Sequence, residues 1–468
     1  MRGAPVRGSV RRGACGKLSR MEKTVNIIGA GLAGSEAALQ LASRGVRVRL
    51  MEMRPATSTP VHHTDECAEL VCSNSLKSTK PESAAGMLKA ELSSLGSRLI
   101  DAAWENKVDA GGALAVDRDG FSRRVTELVR GNELIDYRVE EVTDPFAYEA
   151  DATIIASGPL TSDALAAWLA RTTGEESLAF FDAAAPIVTA DSLDMDVLFR
   201  QSRYEQDAPG DYLNAPFSKE SYDAFIEELL AAQRVIAKDF ETKDLFQACQ
   251  PIEEIARKGH DAPRFGTCKP VGLVDPATGR RPWAAVQLRA ENAERTAYNL
   301  VGFQTNLTFP EQRRVFRMIP GLENAEFARY GVMHRNTFID APRLLGRDMR
   351  LAPERCAGRD VYIAGQLSGT EGYCEAIMSG LVAALNAFAR LTARELPRLP
   401  RETAFGALLD YATDPATQGY QPMHVNFGIM PPLPERVRNK QQRYAAYAAR
   451  GSAAMEGYVA DLRVRGIL

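Results

Sequence analysis

The stretch TVNIIGAGLAGSEAALQLASRGVRVRLME, Thr24 to Glu52, decides the fold. Thr24 to Ile28 is a short β-branched run and reads as a buried strand. Gly29, Gly31 and Gly34 follow at once as GxGxxG. The next residues, small at the start and stopped by Gly45, read as a helix. VRVRL reads as a second strand, and Glu52 stands just beyond it, eighteen residues past Gly34. In such a βαβ unit the first glycine permits a tight turn and the second lets the backbone approach a pyrophosphate. The third allows close helix–strand packing, and the helix N-terminus faces the phosphates. A carboxylate at Glu52 is placed to accept hydrogen bonds from a ribose. Gly29, Ala30, Gly31, Leu32, Ala33, Gly34 and Glu52 are therefore candidate dinucleotide-binding residues.

Two later segments return to this unit. YRVEEVTDPF and DATIIASGPL read as strands rejoining it, and Val361 to Leu391 repeats strand, glycine-rich turn and long helix. DATIIASGPL resembles the second glycine turn of two-dinucleotide-domain flavoproteins. VYIAGQLSGTEG resembles their flavin-contacting strand, with Gln366 where many carry Asp. Both ends of the chain thus point to FAD rather than NAD, and add Gly365, Gln366, Gly369 and Tyr373 as candidate cofactor contacts. An aromatic at Tyr373, at the start of a helix, can stack on a flavin or pterin or simply pack.

The expected class is α/β: a split Rossmann-type FAD-binding domain with an inserted α+β domain. Residues 1–20 read as a non-native or disordered extension. They are rich in Arg and Gly, lack acids, and have neither a signal-peptide apolar core nor the amphipathic pattern of a transit peptide. The first part of the FAD domain spans 21–181, the inserted substrate domain 182–340, and the second FAD part 341–468, ending in a basic helix. Pro81 to Ala103 reads as helical, Val108 to Ser122 as loop, and Lys219 to Lys238 as a long helix.

The chain has 468 residues, 45% hydrophobic and 25% charged, with a net charge of −3. That is an ordinary globular mix, and any nucleic-acid partner needs a local basic patch. No apolar run approaches a membrane span on this reading, so a soluble, cytoplasmic protein is expected. The seven cysteines (Cys15, Cys67, Cys72, Cys249, Cys268, Cys356 and Cys374) are odd in number and form no CxxC pair. A disulfide framework, a zinc finger and a thioredoxin-like pair are disfavoured. HHTDEC, His62 to Cys67, reads as a polar loop rather than a metal site, since no second cluster completes it. His334 fits either a phosphate contact or a hydrogen-bonded core.

The blocks AELVCSNSLKS, GGALAVDRDGFS, KPVGL, VQLRAEN, YNLVGFQTNLT, EQRRVFRMIPGLENAEFARYGVMHRNTF and VNFGIMPPL resemble the folate- and FAD-dependent tRNA (uracil-5-)-methyltransferases, the TrmFO (Gid) family. The likeness runs nearly from Met21 to the C-terminus. It implies methylation of C5 of the T-loop uridine (position 54 of tRNA), with 5,10-methylenetetrahydrofolate as carbon donor and FADH2, reloaded by NAD(P)H, as reductant. Uracil C5 is a poor nucleophile until a thiolate adds at C6. The transferred carbon arrives at the formaldehyde level, so a hydride is needed as well.

Two cysteines match family motifs, Cys72 in ELVCSNS and Cys249 in FQACQPIEE. The resemblance assigns the attack on uracil to Cys249 and a place beside the flavin to Cys72, though the two roles are open to exchange. Lys77, Arg257 and Lys258 would lower a thiol pKa if folded nearby, and Glu253 and Glu254 are candidate proton acceptors. For tRNA, the candidate basic clusters are Arg313, Arg314 and Arg317; Arg343, Arg347 and Arg350; and Arg436, Arg438, Lys440 and Arg443. The alternatives are a wobble-uridine-modifying flavoprotein, a small-molecule NAD(P)H flavin oxidoreductase, and a tRNA-binding flavoprotein without catalysis.

Overall fold

The computed structural model describes residues 22–59, 61–174, 178–203, 210–236 and 250–468. Cys15 and Cys249 lie outside them. Five parallel strands form the first sheet, in the order Val361–Ile363, Ala152–Ile155, Thr24–Ile28, Arg47–Glu52, Ile135–Val139. Ile27 faces Leu50 on one side and Ile154 on the other. All three are fully buried, as a parallel sheet covered on both faces requires. The strand after residue 360 pairs beside the strand at 152–155, so the sheet is assembled from both ends of the chain.

Helix Leu32–Ser43 packs along the long helix Tyr373–Leu391. Gly380 makes the crossing possible, since a Cβ there would come 2.1 Å from the Ala33 carbonyl oxygen. Contrary to the expectation from sequence, Tyr373–Leu391 is long and apolar enough to cross a membrane. Its apolar surface is instead consumed by the protein, for 83% of its apolar stretch is buried inside the fold.

Between residues 187 and 329 lies a six-stranded sheet in which each pair is antiparallel. Its separate core includes Phe217, Tyr222, Phe225, Phe303 and Phe316. Strands Leu178–Ala183 and Met333–Phe338 pair antiparallel as a two-stranded ribbon where the chain leaves the first sheet and returns. The class is therefore α/β, a Rossmann-type sheet split by an α+β segment.

Local readings differ in three places. The helical reading of Pro81 to Ala103 resolves into two helices, Ala84–Ser94 and Arg98–Glu105. Gly96, at φ +72°, breaks the run, and Ser97 recaps it by accepting the Ile100 N–H. The segment read as loop holds strand Ala113–Val116 and starts a helix at Arg118, capped by Asp117. The helix expected to reach Lys238 ends at Ala231 within the described residues.

Candidate active site

A cleft crosses the carboxyl ends of the parallel strands, where open α/β sheets bind ligands. Gly29, Gly31, Leu32, Ala33, Glu52, Gly365, Gln366 and Tyr373 line one compartment. Gly29 takes φ +98°, and any Cβ would strike the Ala156 carbonyl oxygen at 2.6 Å. A Cβ on Gly34 would meet the Gly29 oxygen at 1.8 Å. Gly31 differs, because a Cβ there would meet nothing within 4 Å and would project into open space. No side chain caps helix Leu32–Ser43. Its first N–H groups open on the cleft, a donor set suited to a pyrophosphate.

Ala30 and Gly34 stand behind this wall. The Ala30 N–H donates to the Glu52 carboxylate at 2.8 Å, and Arg54 pairs with the same group at 2.9 Å. Burial opposes ionisation of Glu52, but Arg54 and the Ala30 N–H prevail and hold its pKa below the ordinary value. Carboxylate oxygens have lone pairs to spare for a ribose. HHTDEC closes over this pair. Glu69 accepts from the His63 N–H (2.9 Å), the Thr64 N–H (3.1 Å) and the Thr64 hydroxyl (2.9 Å), and pairs with Arg54. Burial, with Arg54 nearby, lowers His62 to about 4. Gly369 is turned away from the cleft, with the Tyr420 hydroxyl 2.0 Å from where its Cβ would sit.

Cys72 and Tyr373 meet in the adjoining compartment. The Tyr373 hydroxyl accepts the N–H groups of Cys72 (2.9 Å) and Ser73 (3.1 Å). Buried polar groups brace the loop from below. Arg118 donates to the Leu70 carbonyl and pairs with Glu291 at 2.8 Å. Arg289 donates to the Asn74 carbonyl oxygen at 2.7 Å, and the Asn74 amide donates to Val116 and Ala290 oxygens at 2.9 Å. Cys72 is half-buried. Cys67, Cys356 and Cys374 are buried with thiols pushed up by that burial to about 11, and Cys268 to about 12.

Sequence reasoning missed three groups here and left a fourth, His334, undecided. His334, Asn336, Glu371 and Asp182 line the same compartment as Cys72. The Asn336 side chain is fully buried, with neither its amide nitrogen nor its oxygen hydrogen-bonded among the described residues. Gln366 donates to one Glu371 oxygen, while the other is buried without a partner among the described residues. Burial, then the Asp182 carboxylate, push Glu371 up to about 8. The signal for Glu371 was present in GTEGY, an acid beside a glycine turn. Asn336 and Asp182 sit on the paired ribbon, whose register no local pattern reveals.

Other expectations are redirected. Lys77 does reach this compartment, but its ammonium faces Glu375 at 3.8 Å. Lys258 donates to Gln250, and Arg257 faces Glu254 at 3.6 Å. Glu253 is buried in the antiparallel half, accepting from Thr305 (3.0 Å) and the Asn306 N–H (2.6 Å). Glu254 pairs with Arg234 at 3.1 Å. Both acids are held by structural partners, which accounts for them without a proton-transfer role.

Two of the three basic clusters are partly engaged internally, Arg313 through the Tyr330 hydroxyl. Arg314 pairs with Glu228 and Glu311, and Arg317 donates to Ala325. Arg347 pairs with Asp410, and Arg350 with Asp348 and Asp360. In the third, Lys440 and Arg443 lie over the Tyr444 ring.

Comparison with known proteins agrees with this architecture. The profile of the family described as glucose inhibited division protein A matches residues 24–395. A Geobacter sulfurreducens protein named methylenetetrahydrofolate--tRNA-(uracil-5-)-methyltransferase TrmFO is 53% identical over 94% of this chain and 100% of its own length. Proteins of the same name from Acetivibrio thermocellus and Listeria monocytogenes are each 50% identical, over 93% and 94% of this chain and 98% and 100% of theirs. Among solved structures, Aquifex aeolicus GidA shares the fold at TM-score 0.67 and 16% identity, covering 94% of this chain and 74% of that one. Identity of half the residues across nearly the whole chain settles the affiliation: this chain belongs to the GidA family, and within it to the TrmFO proteins.

Proposed function

We propose that the protein methylates C5 of uridine in tRNA, at the T-loop, with 5,10-methylenetetrahydrofolate as carbon donor, FAD as resident cofactor and NAD(P)H as reductant. The observation that carries this reading is the convergence, in one cleft, of an uncapped glycine-turn helix, a thiol and unpaired polar groups. The protein would work in the cytoplasm, where unmodified tRNA is found. We further propose the division read from sequence, with 21–181 and 341–468 forming the cofactor-binding part and 182–340 the substrate part.

The residues fit FAD. The N–H groups at the start of Leu32–Ser43 would hold its pyrophosphate and Glu52 its ribose, with Gly365, Gln366 and Tyr373, which line the same compartment, available to its ring system. When bound and reduced, the flavin supplies the hydride equivalent that brings the transferred carbon to a methyl group. Cys249 is assigned the thiolate that adds to uracil C6, with Cys72 as the thiol of the cleft. Asn336 offers a buried donor and acceptor side by side, complementary to the imide edge of uracil or the amide edge of a pterin. Glu371, held near 8, carries a proton at neutral pH, and its unpaired oxygen is placed to exchange one with a reacting base.

The test supplies purified protein with unmodified tRNA transcript, methylenetetrahydrofolate labelled in its one-carbon unit, and NAD(P)H. Label in T-loop 5-methyluridine, abolished by Cys249→Ala, supports reaction and nucleophile together. Label surviving in that variant moves the attack to Cys72. A flavin-bearing protein that labels no tRNA ends this reading and brings the oxidoreductase and wobble-uridine alternatives forward.

A further inference from the structure

A second large groove lies in the antiparallel half, away from the glycine turn. Its volume is about 1060 Å³. Five basic side chains line it, Lys219, Arg264, Lys269, Arg280 and Arg281, against a single acid, Asp275. That acid is already engaged, accepting the Ala277 N–H (2.9 Å) and the Thr278 hydroxyl (3.0 Å) of its own turn. Lys219 pairs with Asp223 at 2.6 Å, and Arg264 faces Asp261 at 3.5 Å. Lys269, Arg280 and Arg281 have no side-chain partner among the described residues. Their charge meets no carboxylate partner among the described residues, unlike that of Arg314 and Arg350.

Aromatic faces interleave with this charge. The Arg264 guanidinium lies 3.6 Å from the Trp283 ring centre and the Lys219 ammonium 5.8 Å from it. The Trp283 indole N–H has no hydrogen-bond partner among the described residues, and Phe265 is 79% exposed. The 13-residue helix Lys219–Ala231 also starts at the groove, presenting its positive end. Cations, the exposed Phe265 ring, the Arg264-covered Trp283 ring and a helix N-terminus together are the chemistry of a polyanion with stacking bases.

The groove is tied to the thiol compartment by one strand. Ala284–Ala290 begins beside Trp283 and ends where the Ala290 carbonyl accepts the Asn74 amide, two residues from Cys72. Seven residues of strand at about 3.4 Å each set the two sites roughly 24 Å apart.

We propose that this groove holds the backbone of the RNA substrate beside the uridine delivered to the cleft, with Lys269, Arg280 and Arg281 on phosphates and Trp283 and Phe265 against bases. The inference rests on the reading that the substrate is tRNA. The experiment titrates a fluorescent, unmodified tRNA transcript with the flavin-bearing enzyme at several salt concentrations. It compares the unaltered chain with an Arg280→Glu, Arg281→Glu double variant, and follows NAD(P)H-dependent flavin reduction, which needs no RNA, in parallel.

The expected result is at least tenfold weaker binding, a salt dependence shallower by about 1.5 in the log–log slope, and flavin reduction within twofold of the unaltered chain. Should the double reversal disturb folding, seen as lost flavin, Lys269→Ala carries the test with an expected threefold or greater loss. Binding within twofold and an unchanged slope, while the unaltered enzyme binds tRNA, overturn the groove and leave the tRNA reading standing. An unaltered enzyme that binds no tRNA removes both.

Discussion

Replacing Glu371 by Gln tests the electrostatics of the thiol compartment most directly. The side chain is buried, bonded by Gln366 on one oxygen and, among the described residues, unpaired on the other. Burial first, then Asp182 and more weakly Glu375, push its pKa up to about 8 from 4.5, while Gln366 and Lys77 pull the other way. The folded state therefore keeps a proton that the unfolded chain releases above its ordinary pKa. The associated stability is fully present below pH 4.5 and is lost as pH rises through 8. The loss runs at about 1.4 kcal/mol per pH unit within that window and totals on the order of 5 kcal/mol. Glu371→Gln removes this titration and leaves the contributions of Glu91 and Glu253, both raised by burial to about 7, in place. Urea unfolding of both proteins at pH 5.5, 6.5, 7.5 and 8.5 isolates the difference. Relative to the variant, the unaltered protein should weaken steadily up to pH 8 and then level off. Parallel profiles, differing by less than about 0.5 kcal/mol across the range, would show that Glu371 titrates as an ordinary exposed acid and would remove its proton-holding role. If that role is exercised in turnover, the same variant loses about 10²–10⁴-fold in rate while binding tRNA normally.

Three further outcomes follow from geometry. Gly31→Ala should fold with unchanged stability, because its Cβ meets nothing, yet lose most of its flavin, read as flavin absorbance per protein; Gly34→Ala, with a Cβ 1.8 Å from the Gly29 oxygen, should lose both flavin and stability. Full flavin content in Gly31→Ala would show that the cleft does not run past that glycine. Tyr373→Phe takes the acceptor from the Cys72 and Ser73 N–H groups and should cost about 1–3 kcal/mol in urea unfolding. It should also speed alkylation of Cys72; no change in either reading would mean the hydroxyl does not hold the loop. Arg118→Met leaves Glu291 buried without its partner and should cost about 3–5 kcal/mol, with partial recovery on adding Glu291→Leu.

The nucleotide-binding half was legible because its instructions are local. Strand, glycine turn, helix and acid occupy 29 consecutive residues, and Gly29 and Gly34 answer contacts within the same unit or beside its neighbouring strand. The return at 361–391 was legible for the same reason. The boundaries inside Pro81–Ala103 and Val108–Ser122 were not, since a single αL glycine and an Asp cap outweighed helical and loop-like composition over many residues. The second half of the site was opaque for a different reason. Asp182, His334 and Asn336 meet through the pairing of Leu178–Ala183 with Met333–Phe338, strands about 150 residues apart. Basic clusters misled because charge runs do not reveal their partners. Arg314 and Arg350 looked free in sequence and are paired in the fold, whereas Arg280 and Arg281 have no ion-pair partner among the described residues.

The buried braces under the Cys72 loop explain why the two halves are not independent. Asn74 belongs to the nucleotide-binding half, yet its amide and carbonyl are satisfied by Ala290 and Arg289 of the antiparallel sheet. Arg118 likewise crosses from the first half to Glu291. Each of these groups is costly to leave unpaired in a buried setting. A rigid-body shift of the antiparallel half would therefore break several hydrogen bonds at once and release the loop that carries Cys72. The arrangement couples the position of the thiol to that of strand Ala284–Ala290, whose opposite end carries Trp283. If RNA binds at the groove, strand Ala284–Ala290 and the Ala290–Asn74 hydrogen bond link it to the loop that carries Cys72, and Asn74→Ala should cut that link. In that variant tRNA binding should persist while the rate of Cys72 alkylation stops responding to tRNA; a response equal to that of the unaltered enzyme would mean the two sites are not linked through this strand.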